Sequence, residues 1–181
     1  MNILTKILTE EIFREDNKFK PHEKLIIDAV IAFMKNELSF NPARIVVKKK
    51  RSQRFIGDVP MSHTSVIEDK FIVHYNPDQG FGQRIKTLIH ELTHVKQISK
   101  KELRPSEDWK GILWKDEDKL SVREYKKKMK NFEEYKKLGW EEEAYDNMKR
   151  LYDKFLKSSY WTDLKGQDAT LDYIMDNVEY I

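Results

Sequence analysis

Between Arg84 and Ser99, apolar side chains recur at Ile85, Leu88, Ile89, Leu92, Val95 and Ile98, the 3.6-residue spacing of a largely buried helix. Into the middle of that stripe the chain sets two imidazoles and a carboxylate, in His90-Glu91-Leu92-Thr93-His94. A buried helix interior is a costly place for three such groups unless something pairs them. Whatever the chain folds into must bring a partner to this helix.

Residues four apart stack on one helical face, so both imidazoles can present a ring nitrogen to one cation about 2.0–2.1 Å away. Glu91 lies beside that face, placed to take a proton from a water next to the cation without being a ligand. The pattern is thus a candidate centre for one Zn2+ ion, with His90 and His94 as ligands and Glu91 as the catalytic base. The blander readings are core histidines satisfied by hydrogen bonds, or surface histidines with no role. Both fit less well in the middle of an apolar helix that follows strands.

Two protein ligands are too few for a catalytic zinc, which takes three and a water. The chain has no cysteine, which excludes thiolate ligands, a cysteine nucleophile and a disulfide framework. Its other histidines, His22, His63 and His74, all lie upstream. His22 near the start of a long helix and His63 in a loop read as surface residues. His74 sits on a strand and either lines the cleft or faces solvent. That leaves a carboxylate, and Gly139-Trp140-Glu141-Glu142-Glu143-Ala144-Tyr145 offers three. Glu141 has the small Ala144 one turn on, which lets its helix come close to the first. Glu143 is the next candidate, and Glu142 has a claim because Asp146, at i+4, could orient a histidine. Negative charge near a helix N-terminus is favourable in itself and accounts for at least one of the three.

The rest of the chain reads as one α+β domain, helical at both ends with a short extended region between, in keeping with its 181 residues. Pro21 fits the first turn of a helix carrying Leu25, Ile26, Ala29, Val30, Phe33, Met34 and Leu38 and ending near Ser39-Phe40-Asn41-Pro42. Strands are expected at 43–50, at 64–67 and at 71–75, the last two around a turn at 68–70. Residues 109–114 read as strand or loop. Ser121-Val122-Arg123-Glu124 has capping-box spacing and opens a helix expected to run to Gly139. Further helices are expected from Trp140 to about Leu156 and from Ala169 to Val178. An N-terminal helical stripe runs through Ile3, Leu4, Ile7, Leu8 and Ile12. No apolar run has the length of a signal peptide or membrane span, so the expectation is a soluble, cytoplasmic protein with no membrane partner. The net charge of +3 and the basic runs Lys48 to Arg51 and Lys126 to Lys128 lack interleaved aromatics for base stacking. Nucleic acid is therefore the lesser candidate partner.

Through His90-Glu91-Leu92-Thr93-His94 and the later Glu141-Glu142-Glu143-Ala144, the chain resembles the zincin metallopeptidases, in particular their gluzincin branch. Trp140 to Ala144, following the first motif, is similar to small phage-encoded proteins of the ImmA/IrrE-like and SprT-like kinds. The resemblance covers about residues 43–156. It implies a minimal zincin: a small twisted, mainly antiparallel sheet packed against helices, an active-site helix, and a ligand helix in the C-terminal region. The domain core would span about 21–157. It further implies that His90, His94 and Glu141 hold the zinc and that Glu91 is the base. The substrate would be an extended protein or peptide segment laid beside an edge strand. Tyr145 stands where several gluzincins carry an acidic residue, and the histidine that is the third ligand in the SprT-like group has no counterpart here. An oxyanion helper is also required, for which His74, Tyr145 and Tyr160 are candidates by residue type. The alternative to an enzyme is a non-catalytic zinc protein that uses the fold to hold a protein or nucleic-acid partner.

Overall fold

The computed structural model describes residues 19–41, 44–49, 70–108, 110–116 and 118–178. Its first element is helix α1, Pro21–Glu37, with proline in the first turn and Ile26, Ile27, Ala29, Val30, Ile31, Phe33 and Met34 buried. The chain turns out of it through Ser39, which adopts a positive φ of 49°. Strands β1, Arg44–Lys49, and β2, Lys70–Tyr75, pair in parallel, with Ile45 opposite Phe71 and Val47 opposite Val73. Helix α2, Phe81–Ser99, follows and packs against both α1 and β2. Next comes a three-stranded antiparallel sheet of β3, Leu103–Pro105, β4, Gly111–Trp114, and β5, Asp118–Ser121. Short helices α3, Val122–Lys128, and α4, Phe132–Lys136, lead to α5, Gly139–Leu156. Helices α6, Ser159–Thr162, and α7, Ala169–Asn177, close the described chain.

The α+β class expected from the sequence is what the chain adopts, but the strands divide differently from a mainly antiparallel sheet. The antiparallel strands form their own small sheet, and β1 and β2 run parallel. The reason is legible in β1, whose Ile45, Val46 and Val47 are all buried, a continuous apolar run of the kind parallel strands carry, without the alternation of a half-exposed antiparallel strand. The expected strand at 64–67, the N-terminal stripe and His63 lie outside the described residues. His22 is not a surface residue. The residue is 7% exposed, its ring lies 5.9 Å from the Phe81 ring, and Nδ1 stands 4.0 Å from the Asp168 carboxylate. Among the described residues no helix is long and apolar enough to cross a membrane.

Ser121 caps α3 as its spacing implies, its hydroxyl accepting from the Glu124 amide while the Glu124 carboxylate accepts from the Ser121 amide. The helix does not then run to Gly139. It stops at Lys128, and the Asn131 side chain starts α4 afresh by accepting from the amides of Glu133 and Glu134. Gly139 is the first residue of α5, not a terminator. A β-carbon there would stand 2.5 Å from Nε1 and 2.8 Å from Cδ1 of Trp114, so glycine is required by the indole lying against it.

Two apolar clusters result. The larger joins α1, β1, β2, α2, the end of α5 and α7, around Phe33, Leu88, Leu92, Leu151 and Phe155. The smaller joins Leu103, Trp114, Tyr125, Tyr135, Leu138 and Trp140. Helix α5 runs from the second cluster into the first, and α2 packs along it. Glu23 ties α1, β1 and α2 together: its carboxylate accepts from Lys49 Nζ and from the Lys20 amide, each at 2.8 Å, and lies 3.6 Å from Arg84. Burial works to raise the pKa of Glu23, but the hydrogen bonds from Lys49 and Lys20 and the charges of Lys49 and Arg84 outweigh it and hold it below the ordinary carboxylate value.

Two outcomes are expected. Gly139→Ala forces the rigid Trp114 ring to shift and costs about 1–3 kcal/mol, to be read as a lowered midpoint in urea denaturation. Glu23→Gln lowers stability by about 1–3 kcal/mol at neutral pH. Because the folded-state pKa of Glu23 is depressed, its contribution is present above the unfolded carboxylate value and disappears as pH falls through the folded one. The gap between the wild type and this variant therefore closes in acid denaturation profiles.

Candidate metal centre

Helix α2 carries His90, Glu91 and His94 in its middle turns, and all three are buried, at 3%, 3% and 5% exposure. Stacking one helical turn apart sets the two rings edge to face, with centroids 4.8 Å apart and an interplanar angle of 85°. Their Nε2 atoms point at each other across 3.2 Å. Glu141, fully buried in the first turn of α5, brings Oε2 to 3.4 Å from His90 Nε2 and Oε1 to 3.4 Å from His94 Nε2. Ala144, one turn on, is fully buried, and α5 packs on α2.

These separations have a simple meaning. Donor atoms held about 2.0–2.1 Å from one ion at the tetrahedral angle lie about 3.3–3.4 Å from each other. The two imidazole nitrogens stand 3.2 Å apart and each has one Glu141 oxygen at 3.4 Å, so the three residues could hold a metal ion. Two ring nitrogens aimed at each other, and a buried Glu141 Oε2 that accepts no hydrogen bond among the described residues, are polar groups turned toward a common point.

The hydrogen bonds behind His94 set which nitrogen faces that point. The Trp140 carbonyl can only accept, so the Gln97 group 2.9 Å from it is the amide nitrogen. The Gln97 oxygen is then the atom 2.8 Å from His94 Nδ1, which must donate to it. Nε2 is left for Glu141 and His90. Gln97 thereby plays the part that the sequence reading offers to Asp146, which lies exposed on α5. His90 Nδ1 is buried with no hydrogen-bond partner among the described residues, and the Tyr145 ring packs on His90 with centroids 4.7 Å apart.

Charge in the trio is shared unevenly. Burial disfavours the charged form of both rings. On His94 the hydrogen bond and charge of Glu141, the charge of Glu91 and the bond to Gln97 outweigh it and raise the pKa to about 9. On His90 burial prevails and the pKa falls. Burial would also keep Glu141 neutral, but the two imidazoles facing its oxygens, through close polar contact and charge, bring it down to about 2. One positive charge thus sits against one carboxylate where a cation would sit. Glu91 is pushed up to about 7, chiefly by burial, with the His94 charge opposing and Glu141 reinforcing the rise.

Of the three glutamates, the other two stand outside the trio. Glu143 binds Lys96 of α2 and Lys115 after β4, each at 2.8 Å, and Lys96 also reaches Glu102 at 2.6 Å, a bridge one turn from the histidines. Glu142 is exposed. His74 lies on β2, outside the group formed by His90, His94 and Glu141. Tyr160 packs edge-on against Phe33 beside the main core. Tyr145 is the candidate helper that does reach the trio, through its contact with His90.

Two participants escaped the sequence reading. Gln97 continues the polar face His90, His94 at the next helical step, and that continuation in an apolar stripe was a usable signal. Tyr135, whose hydroxyl donates to Glu141 Oε1 at 2.5 Å, comes from a different helix with no local mark. Burial, and then the negative charge of Glu141, push its hydroxyl far above its ordinary pKa, so it stays a proton donor. Comparison with family models, curated proteins and solved structures finds no match for this chain.

Gln97→Leu removes the donor–acceptor link that holds His94 while keeping similar volume. Zinc affinity is expected to fall about 10–100-fold, measured by competition with a chromophoric chelator.

Proposed function

We propose that this protein is a zinc-dependent metallopeptidase, hydrolysing a peptide bond in a protein or peptide substrate. The observation that carries the reading is the convergence of His90 Nε2, His94 Nε2 and the Glu141 carboxylate within reach of one ion, next to a buried glutamate on the same helix. The donor set of two imidazoles and one carboxylate suits zinc, whereas magnesium and calcium favour oxygen ligands. When bound, the ion supplies the positive charge that makes a nearby water acidic and polarises a carbonyl. Glu91 takes the proton from the attacking water as the carbon–oxygen bond forms. It then hands that proton to the amide nitrogen as the carbon–nitrogen bond breaks, leaving a carboxylic acid and an amine. Tyr145, packed on His90, is the residue best placed to donate a hydrogen bond to the oxygen that gains charge. Gln97 keeps His94 aimed, and the bridge of Glu143 to Lys96 and Lys115 keeps α5 seated on α2.

A second reading is favoured by the burial itself. His90, Glu91, His94 and Glu141 are each at most 5% exposed, which also suits an ion that ties α2 to α5 without reacting. The alternatives part on catalysis. Zinc-loaded wild type is expected to cleave members of a diverse peptide library, read by mass spectrometry. Glu91→Gln should still take up one zinc but lose cleavage by about 10²-fold or more. Unchanged cleavage in that variant rejects Glu91 as the base, and full zinc occupancy without any cleavage moves the assignment to the structural reading.

A further inference from the structure

The two oxygens of Glu141 are not equivalent. Oε2 faces His90 Nε2 at 3.4 Å, is buried, and accepts no hydrogen bond among the described residues. Oε1 faces His94 Nε2 at the same 3.4 Å and also accepts the Tyr135 hydroxyl at 2.5 Å. Each oxygen has one imidazole nitrogen at 3.4 Å, so the histidines treat the two alike. Tyr135 does not, because an oxygen already accepting a short hydrogen bond is a poorer donor to a cation than its bare neighbour.

The hydroxyl is held in place from behind. Tyr135 is 4% exposed and packs in the smaller apolar cluster with Tyr125, Leu138 and Trp140. Its helix is begun by the Asn131 side chain, and Lys136, the next residue, lies over the Phe132 and Tyr145 rings. The phenol is therefore already aimed at Glu141.

We infer that Tyr135 holds Glu141 to coordination through Oε2 alone, so that two nitrogens and one oxygen occupy three positions and a fourth stays open for water or a substrate oxygen. This rests on the metal reading above. Without the hydroxyl, both oxygens become equal and the carboxylate can close on the ion with the pair of them, raising the coordination number. Tyr135 is in this sense a positioning residue, acting on the ion through Glu141.

Cobalt(II) is the probe, since its visible absorption is strong in four-coordinate sites and weakens as coordination rises. Wild type loaded with Co2+ is expected to show intense four-coordinate bands. Tyr135→Phe, which keeps the ring in its cluster, should bind Co2+ with bands several-fold weaker. Tyr160→Phe, which removes a hydroxyl beside the main core, should leave the wild-type spectrum intact. A Tyr135→Phe spectrum identical to wild type overturns the inference and leaves the metal reading standing. Wild type that takes up neither Co2+ nor zinc brings down the metal reading itself.

Discussion

The packing of α2 along α5 is the contact on which the rest depends, because it buries two imidazoles and two carboxylates where water cannot solvate them. Apolar side chains supply most of the attraction, with Leu88, Leu92, Leu151 and Phe155 in one continuous cluster. His90, His94 and Glu141 must then satisfy one another at the seam. They do so with the two ring nitrogens 3.2 Å apart and the carboxylate facing both, an arrangement that could also hold a cation.

The smaller cluster holds the seam in register. Trp114 lies against Gly139 and sets where α5 begins, which places Glu141 in its first turn, where the helix dipole favours a carboxylate. Tyr135 and Gln97 each reach the trio, one through Glu141 and one through His94. Lys96, bridging Glu143 and Glu102, fixes the same two helices one turn away. Side chains from α2, α4 and α5, with support from the three-stranded sheet, therefore share the task of holding three donor atoms.

Helix positions were legible because each carries its own signal. Pro21 starts α1, the Ser121–Glu124 pair starts α3, and the stripe from Ile85 to Ile98 defines α2. The break between α3 and α4 was missed because apolar spacing from Val122 to Leu138 hides the stronger local effect, Asn131 capping a new helix. Gly139 was misread for a related reason. A glycine after a helical run signals termination when viewed locally, while the Trp114 ring that requires it is brought there by the sheet. His22 was placed at the surface because nothing in its neighbourhood announces Phe81 or Asp168.

For the centre itself, the sequence alone determined the pair His90 and His94 with Glu91 between, because helical geometry converts a spacing of four into a shared face. It also determined, through the lack of cysteine and of any downstream histidine, that a carboxylate was the candidate for any third metal-binding group from later in the chain. Which carboxylate was a matter for the tertiary structure. Glu141, Glu142 and Glu143 are neighbours on one helix about 100° apart around its axis, so only the way α5 docks on α2 decides that the first points at the histidines, the second at solvent and the third at Lys96. Tyr135 likewise became part of the centre only when its cluster formed, since contacts between distant segments leave no periodic trace in the chain.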